Sequence, residues 1–267
     1  MPPDERSPGP VRITRRTALQ AGAAAVALSG TLATSQAKPT SAASGGAPMA
    51  NAQNPPPGWQ VTNTPKPLPF APDSLPGLSE RLIQSHWENN YSGAVRRLNL
   101  IEQQLADLPA DAPPYLLGAL KREELIATNS MVLHELYFAN LGGTASPSPA
   151  VMTALGAAFG DYDRWEREFR GTGVALGGGS GWVVLSYNVQ NGLLRNSWAS
   201  DHTQNLAFGV PLLVLDVYEH AYAIDYGAGT AQYIAAFMDN VNWSEVARRL
   251  EEAQARRLPA PFAAGSA

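Results

Sequence analysis

The feature that most constrains the fold is a carboxylate and an imidazole, Asp216 and His220, placed just after an apolar run. The run, residues 210–215, has the composition of a buried strand, so both side chains are expected near the end of that strand. The chain contains four histidines, and two others, His86 and His134, lie far upstream on predicted helices. Two or three imidazoles with one carboxylate form a ligand set that suits iron or manganese. The sequence therefore predicts a metal site built from two helices and the end of a strand.

Composition limits the chemistry that such a site can use. The chain has 267 residues, no cysteine and a formal net charge of −4. This length suits one large domain or two modest ones. The absence of cysteine excludes disulfides, cysteine-ligated zinc and iron–sulfur clusters, so a metal must be held by His, Asp or Glu. The negative net charge argues against a nucleic-acid partner.

The N-terminus has the pattern of an export signal. Arg15 and Arg16 precede an Ala-rich apolar run over residues 21–32, and Ser35-Gln36-Ala37 offers a small-x-small cleavage site. This order resembles a twin-arginine signal peptide over residues 1–37. We expect a periplasmic or secreted bacterial protein with no stable membrane association after signal cleavage. The alternatives are a basic disordered tail and a signal that is kept as an anchor.

The first half of the remaining chain reads as a linker followed by two helices. Residues 38–72 are rich in Pro, Ala, Ser, Gly and Asn, which is typical of a flexible linker or arm. Helical patterns over 78–108 and 116–141 are separated by Asp111-Ala-Pro-Pro, a strong breaker. We predict an N-terminal antiparallel helical hairpin domain over 73–145.

The second half, residues 146–258, is predicted to be an α+β metal-binding domain. A helical pattern covers about 150–170, and strand patterns cover 182–187, 193–198 and 212–216, with an Asn191-Gly192 hairpin turn. Helical patterns return over 218–224 and 231–252, and residues 259–267 read as a disordered tail. The fold class is α+β: an N-terminal antiparallel helical hairpin followed by an α/β domain with a small three-stranded antiparallel sheet.

Five short segments, in this order along the chain, resemble motifs of the iron/manganese superoxide dismutase family. They are residues 85–99, 134–143, 179–182, 216–222 and 240–243. The resemblance reaches over roughly residues 69–250. It implies that one iron or manganese ion per subunit is held by His86, His134, Asp216 and His220.

The resemblance also implies an activity and partners. The family converts superoxide to dioxygen and hydrogen peroxide by cycling the metal between its +2 and +3 states. Superoxide would be the substrate, and a second copy of the chain would form a homodimer, with a tetramer as the other option. Two alternatives are a metal-binding homologue without turnover and a non-haem iron oxygenase. Four protein ligands leave too few open positions for the oxygenase.

Further residues receive roles around the metal from the same resemblance. His202 is expected to hydrogen-bond the metal-bound solvent, because Ser130, at the other position the family uses, is small. Trp182 is expected to form a wall of the site, and Tyr218 stands where the family has a Trp. At the dimer interface we expect Glu219, bonded to the partner's His220.

The sequence departs from the family pattern at the entrance rather than at the ligands. Ala94 occupies the position of a gateway Tyr, and Asn90 that of a family His. The family's Tyr–His contact between the two subunits would thus become a contact between Tyr222 and Asn90. Residues 227–230 replace a basic stretch of the family, so the arginines of its substrate funnel are missing. These changes are expected to alter substrate steering, proton delivery and the rate of turnover.

Overall fold

The computed structural model describes residues 62–204 and 206–258 of the chain. The predicted signal peptide, most of the predicted linker and the tail at 259–267 lie outside the described residues, and those predictions are not tested by it. Within the described residues, no helix combines the length and the apolar character needed to cross a bilayer. The predicted division between residues 145 and 146 also stays a prediction.

The first helical pattern forms one long helical stretch with an irregular segment inside it. Helix α1 (Glu80–Ser85) runs into a π-helical segment (His86–Tyr91) and then into α2 (Ser92–Ala106). Ser79 caps α1 by accepting a hydrogen bond from the Leu82 backbone N–H at 3.1 Å. A π-helical turn widens the helix locally and is common at functional sites. The pattern of the sequence predicted a helix here but not this widening.

Helix α3 (Pro114–Ala139) packs against α2 and completes the predicted hairpin. A proline at the first helical position suits the helix start, because its missing N–H would have no intrahelical acceptor there. Leu98, Ile101 and Leu105 of α2 pack on Ala127 of α3 in a small buried cluster. Because the stretch carrying His86 lies against the C-terminal half of α3, the two helices run antiparallel.

Two helices predicted as continuous are each broken by a capping signal. The pattern at 150–170 forms α4 (Pro149–Phe159) and α5 (Tyr162–Leu176). Gly160 has φ +97°, and Asp161 caps α5 by accepting from the Arg164 backbone N–H at 2.6 Å. The pattern at 231–252 likewise forms α7 (Thr230–Asp239) and α8 (Trp243–Ala255), after the four-residue α6 (Ala223–Tyr226).

The predicted three-stranded antiparallel sheet is confirmed, with strand order β2-β1-β3. The strands are β1 (Trp182–Asn188), β2 (Leu194–Ala199) and β3 (Gly209–Asp216). Trp182 pairs with Ala199 on one side and with Asp216 on the other. The pairing of β1 with β3 shifts between Leu185 and Ser186, whose partners are Leu213 and Pro211. Leu212 is therefore the extra residue of a β-bulge in β3.

The sheet and the hairpin share one hydrophobic core. Six of the seven residues of β1 are buried, because β2 and β3 pair with its two edges and helices α5 and α8 pack against it. The α+β fold class predicted from the sequence is confirmed. The metal site lies where the hairpin meets the end of β3, since β3 ends at Asp216 and the helices contribute His86 and His134.

Candidate metal centre

The four predicted ligands converge on one point. One ligand atom of each residue lies within 4.8 Å of the others. Oδ2 of Asp216 is 3.1 Å from Nε2 of His86, 3.1 Å from Nε2 of His220 and 3.5 Å from Nε2 of His134. The side chains of His86, His134 and Asp216 are buried, whereas His220 is 26% exposed. Three imidazole nitrogens thus surround one carboxylate oxygen.

Each ligand is presented by a different kind of local structure. His86 is the first residue of the π-helical segment, and His134 lies on α3. Asp216 is the last residue of β3, and His220 follows in a 3₁₀ turn, Glu219–Ala221. The backbone N–H of Tyr218 donates to Oδ1 of Asp216 at 2.9 Å. This bond turns the chain after the strand, so that His220 comes back toward the carboxylate.

The protonation of His134 shows that the cluster fits a cation. Nδ1 of His134 lies 2.6 Å from the backbone carbonyl oxygen of Ser130. A carbonyl only accepts, so Nδ1 carries the proton and Nε2 holds a lone pair. That nitrogen is buried and has no hydrogen-bond partner among the described residues, although a carboxylate oxygen lies 3.5 Å away. Two buried lone-pair atoms that face each other are costly unless a cation lies between them.

The electrostatics of the cluster agree with this fit. Burial lowers the pKa of His86, and burial together with the neighbouring His86 lowers the pKa of His134 to about 3. Burial alone would raise the pKa of Asp216, but the adjacent His220 and His86 hold that pKa below its usual value. Neutral imidazoles and an ionised carboxylate are the states in which these side chains bind a metal.

Trp182 and His202 form a wall beside the ligands. The fully buried Trp182 ring is 5.1 Å from the His134 ring and perpendicular to it. Its indole N–H donates to Nδ1 of His202 at 3.0 Å. The His202 ring stacks on Tyr218 at 4.9 Å and lies 6.3 Å from the His134 ring. The structure thus brings Trp182, His202 and Tyr218 together at the site.

Two polar residues near the site were missed in the sequence. The side-chain amide of Asn129 donates to the backbone carbonyl of His202 at 2.5 Å and ties the His202 loop to α3. The hydroxyl of Tyr233 donates to the backbone carbonyl of Asp216 at 2.7 Å. Neither residue belongs to a recognisable motif, and each acts through a contact distant in sequence, so no local signal could have found them.

The residues expected at the dimer interface behave differently from each other. Glu219 is exposed in the single chain and is free to contact a partner. Tyr222 is 1% exposed, stacks on Tyr233 at 5.3 Å and accepts from the Gly178 backbone N–H at 3.3 Å. Tyr222 is thus packed inside its own subunit, and the predicted Tyr222–Asn90 contact with a second copy stays a prediction.

The entrance residues lie on the first helical stretch. Asn90, in the π-helical segment, is half-buried, and Ala94, in α2, is 7% exposed. Alanine at this position brings neither a hydroxyl nor an aromatic ring to the site. The effect of these two residues on the entrance stays a prediction.

Comparisons with known proteins agree with this site. The family model of the iron/manganese superoxide dismutase C-terminal domain matches residues 147–249. An iron superoxide dismutase of Cupriavidus metallidurans is 56% identical over 189 residues, which cover 70% of this chain and 96% of that relative. One from Aquifex aeolicus is 35% identical, over 68% of this chain and 88% of the relative.

A manganese superoxide dismutase of Haloferax volcanii is 34% identical, and the match covers 70% of this chain and 94% of that relative. Relatives named for iron and for manganese thus both match across nearly their whole length. The helical hairpin, the small sheet and the buried three-histidine, one-aspartate cluster fit the same assignment. The chain belongs to the iron/manganese superoxide dismutase family, oxidoreductases that bind one metal ion per subunit.

Proposed function

We propose that this protein is an exported superoxide dismutase that uses iron and works as a homodimer. The observation that carries the proposal is the buried pair of lone-pair atoms, Nε2 of His134 and Oδ2 of Asp216, in a cluster with two further imidazoles. When bound, the metal supplies a one-electron couple through which superoxide becomes dioxygen in one half-reaction and hydrogen peroxide in the other.

The protein's own residues prepare the site for that couple. Asp216 contributes one negative charge, and an imidazole binds a metal as an uncharged donor, so the ligand set would offset only part of the charge of the ion. The backbone carbonyl of Ser130 accepts a hydrogen bond from Nδ1–H of His134 and thereby holds Nε2 in its ligating form. The indole of Trp182 covers one side of His134 and keeps bulk water from that ligand.

His202 is the residue best placed to manage protons. The indole N–H only donates, so Nδ1 of His202 accepts and the proton of the neutral ring sits on Nε2. Burial lowers the pKa of His202, which favours this neutral form. The Nε2–H is therefore a fixed donor beside the ligands, available to a water molecule or to the substrate. This supports the solvent-bonding role expected for His202.

The preference for iron rests on the relatives. The Cupriavidus relative named for iron is 56% identical, whereas the Haloferax relative named for manganese is 34% identical. The test is to load the full chain separately with iron and with manganese and to follow superoxide decay directly, per bound metal. Fast decay with iron alone is expected. Fast decay with manganese would overturn the metal preference, and full occupancy without decay in either form would leave a metal-binding homologue.

Export is proposed from the sequence of the N-terminus. Arg15 and Arg16, the apolar run at 21–32 and the small residues at 35–37 have the order of a twin-arginine signal. The match to the Cupriavidus relative covers 96% of that protein but 70% of this chain, which leaves room for such a segment. Residues 1–45 fused to a folded fluorescent reporter should carry it out of the cytoplasm. The Arg15→Lys/Arg16→Lys form should not, and equal export of both would overturn the proposal.

The homodimer is supported by the position of Glu219. This carboxylate is exposed one residue before the ligand His220, so a second subunit could place its own site against it. Light scattering of the purified protein should give twice the chain mass, and Glu219→Gln should weaken the association. A monomer across the micromolar range would overturn the proposal, and a tetramer would place a second interface elsewhere.

A further inference from the structure

A buried polar pair lies at the outer edge of β3, away from the ligands. Asn140 follows α3 and is fully buried, and Arg249 of α8 is 6% exposed. The Asn140 amide donates to the carbonyl of Leu212 at 3.1 Å and accepts from the N–H of Val214 at 3.0 Å. Its side chain therefore bonds to the edge of β3 as the peptide group of a neighbouring strand would.

Arg249 adds a second set of bonds at the same place. Its Nη1 donates to Oδ1 of Asn140 at 3.0 Å and to the carbonyl of Leu212 at 3.2 Å, while Nη2 donates to the carbonyl of Leu136 at 3.4 Å. Glu245 of α8 accepts from Nε at 2.8 Å and balances the charge. One guanidinium thus joins α8, the C-terminal turn of α3 and β3.

The residue that both side chains hold is the bulge residue. Leu212 is the extra residue in the pairing of β3 with β1, and Asp216 follows it by four positions. Side chains of a strand alternate between its faces, so loss of one bulge residue shifts the register and turns every side chain to the opposite face. Holding the Leu212 carbonyl therefore keeps Asp216 opposite Trp182, with its carboxylate toward the three imidazoles.

Asn140 and Arg249 also bond to the C-terminal end of α3, the helix that carries the ligand His134. Helix α3 carries His134, and Leu136 and Asn140 lie within two turns after it. The gap between Nε2 of His134 and Oδ2 of Asp216 depends on how α3 sits against β3, which is where Asn140 and Arg249 bond. We propose that Asn140 and Arg249 are positioning residues of the metal centre, which hold the bulge at Leu212 and the spacing of α3 from β3. The proposal rests on metal binding at the proposed site but not on turnover.

The test compares Asn140→Ala and Arg249→Met with Trp165→Phe, all in the full chain. Trp165→Phe is the matched control, because it removes a hydrogen bond from the buried Trp165 to Asn196 (3.0 Å) that involves neither α3 nor β3. In the metal-free protein, hydrogen exchange at the Val214 amide should rise about 5- to 10-fold in Asn140→Ala. Mn(II) affinity, measured by chelator competition, should fall about 10- to 100-fold in both variants.

The EPR spectrum of bound Mn(II) gives a readout of ligand geometry that loss of stability alone does not move. It should change in Asn140→Ala and Arg249→Met and stay unchanged in Trp165→Phe. Arg249→Lys keeps the charge but has one ammonium in place of the guanidinium, so it should show an intermediate affinity. It replaces Arg249→Met in the comparison if that variant does not fold. Wild-type affinity and spectrum in the Asn140 and Arg249 variants would overturn the proposal. Tight metal binding without superoxide decay in the wild type would instead overturn the proposed function and leave the positioning roles of Asn140 and Arg249 standing.

Discussion

The indole N–H of Trp182 donates to Nδ1 of His202 at 3.0 Å, and this bond decides which nitrogen of His202 carries the proton. Without it, a neutral imidazole can hold its proton on either nitrogen. With it, Nε2–H is the only donor of the ring. Because the Trp182 ring also contacts the ligand His134 at 5.1 Å, one side chain orients the proton donor and covers a ligand.

Replacement of His202 should therefore reduce turnover without emptying the site. His202 is not among the four clustered ligand residues, so His202→Ala should keep metal occupancy and lower the rate of superoxide decay about 10- to 100-fold. His202→Gln, which restores an N–H donor, should recover part of the rate. Stopped-flow decay per bound metal measures both variants, and an undiminished rate in His202→Ala would exclude this proton-donor role.

Asp216→Asn should abolish tight metal binding while leaving the fold intact. In the wild type, the Tyr218 N–H donates to Oδ1 of Asp216 at 2.9 Å, and the amide oxygen of Asn can accept the same bond. The substitution removes the only negative charge of the ligand cluster. Metal affinity should fall more than about 100-fold. Metal content by elemental analysis checks this, with Asp163→Asn on α5 as the control. A fully loaded Asp216→Asn protein would contradict the ligand assignment.

Gly143→Ala should destabilise the protein because two loops cross there. A Cβ at Gly143 would lie 2.4 Å from Cα of Asn242, and the Gly143 N–H donates to the Asn240 carbonyl at 3.2 Å. The free energy of unfolding should fall by about 2 kcal/mol. Gly118 is an exposed α3 position where a Cβ meets nothing within 4 Å. Gly118→Ala should instead raise the free energy of unfolding by about 0.5–1 kcal/mol. Urea unfolding measures both, and equal effects would contradict the tight crossing.

Stability should depend on pH through Glu245. Hydrogen bonds from Arg248, together with the Arg249 charge, lower the pKa of Glu245 below its usual 4.5. A carboxyl with a lowered pKa in the folded state stabilises the fold fully above the unfolded-state pKa and loses that contribution as the pH falls through the folded-state value.

In the metal-free state, the free energy of unfolding of the wild type should thus exceed that of Glu245→Gln by about 1 kcal/mol at neutral pH. The two proteins should converge well below pH 4.5. Urea midpoints measured at a series of pH values give the difference, and Glu252→Gln, at a more exposed α8 position, should show a smaller one. A constant difference between wild type and Glu245→Gln at every pH would contradict the prediction.

Much of the fold could be predicted because its signals are local. The Asn191-Gly192 turn and the alternation of apolar and breaker segments predicted the three strands, and the helical patterns predicted the hairpin. Boundaries failed where a cap interrupted a continuous pattern, as at Gly160. The inward position of Tyr222 was also missed, because its neighbour Tyr233 is distant in sequence.

The sequence by itself determined which side chains can serve as ligands and on which elements they lie, because ligand chemistry and periodicity are properties of short segments. Tertiary structure alone decided how the ligand side chains are oriented toward one another. The π-helical segment at His86, the bulge at Leu212 and the bonds of Asn140 to Arg249, 109 positions away, arise when distant backbones must satisfy their polar groups in one buried space. That requirement acts only once the chain is packed, so no short segment carries its signature.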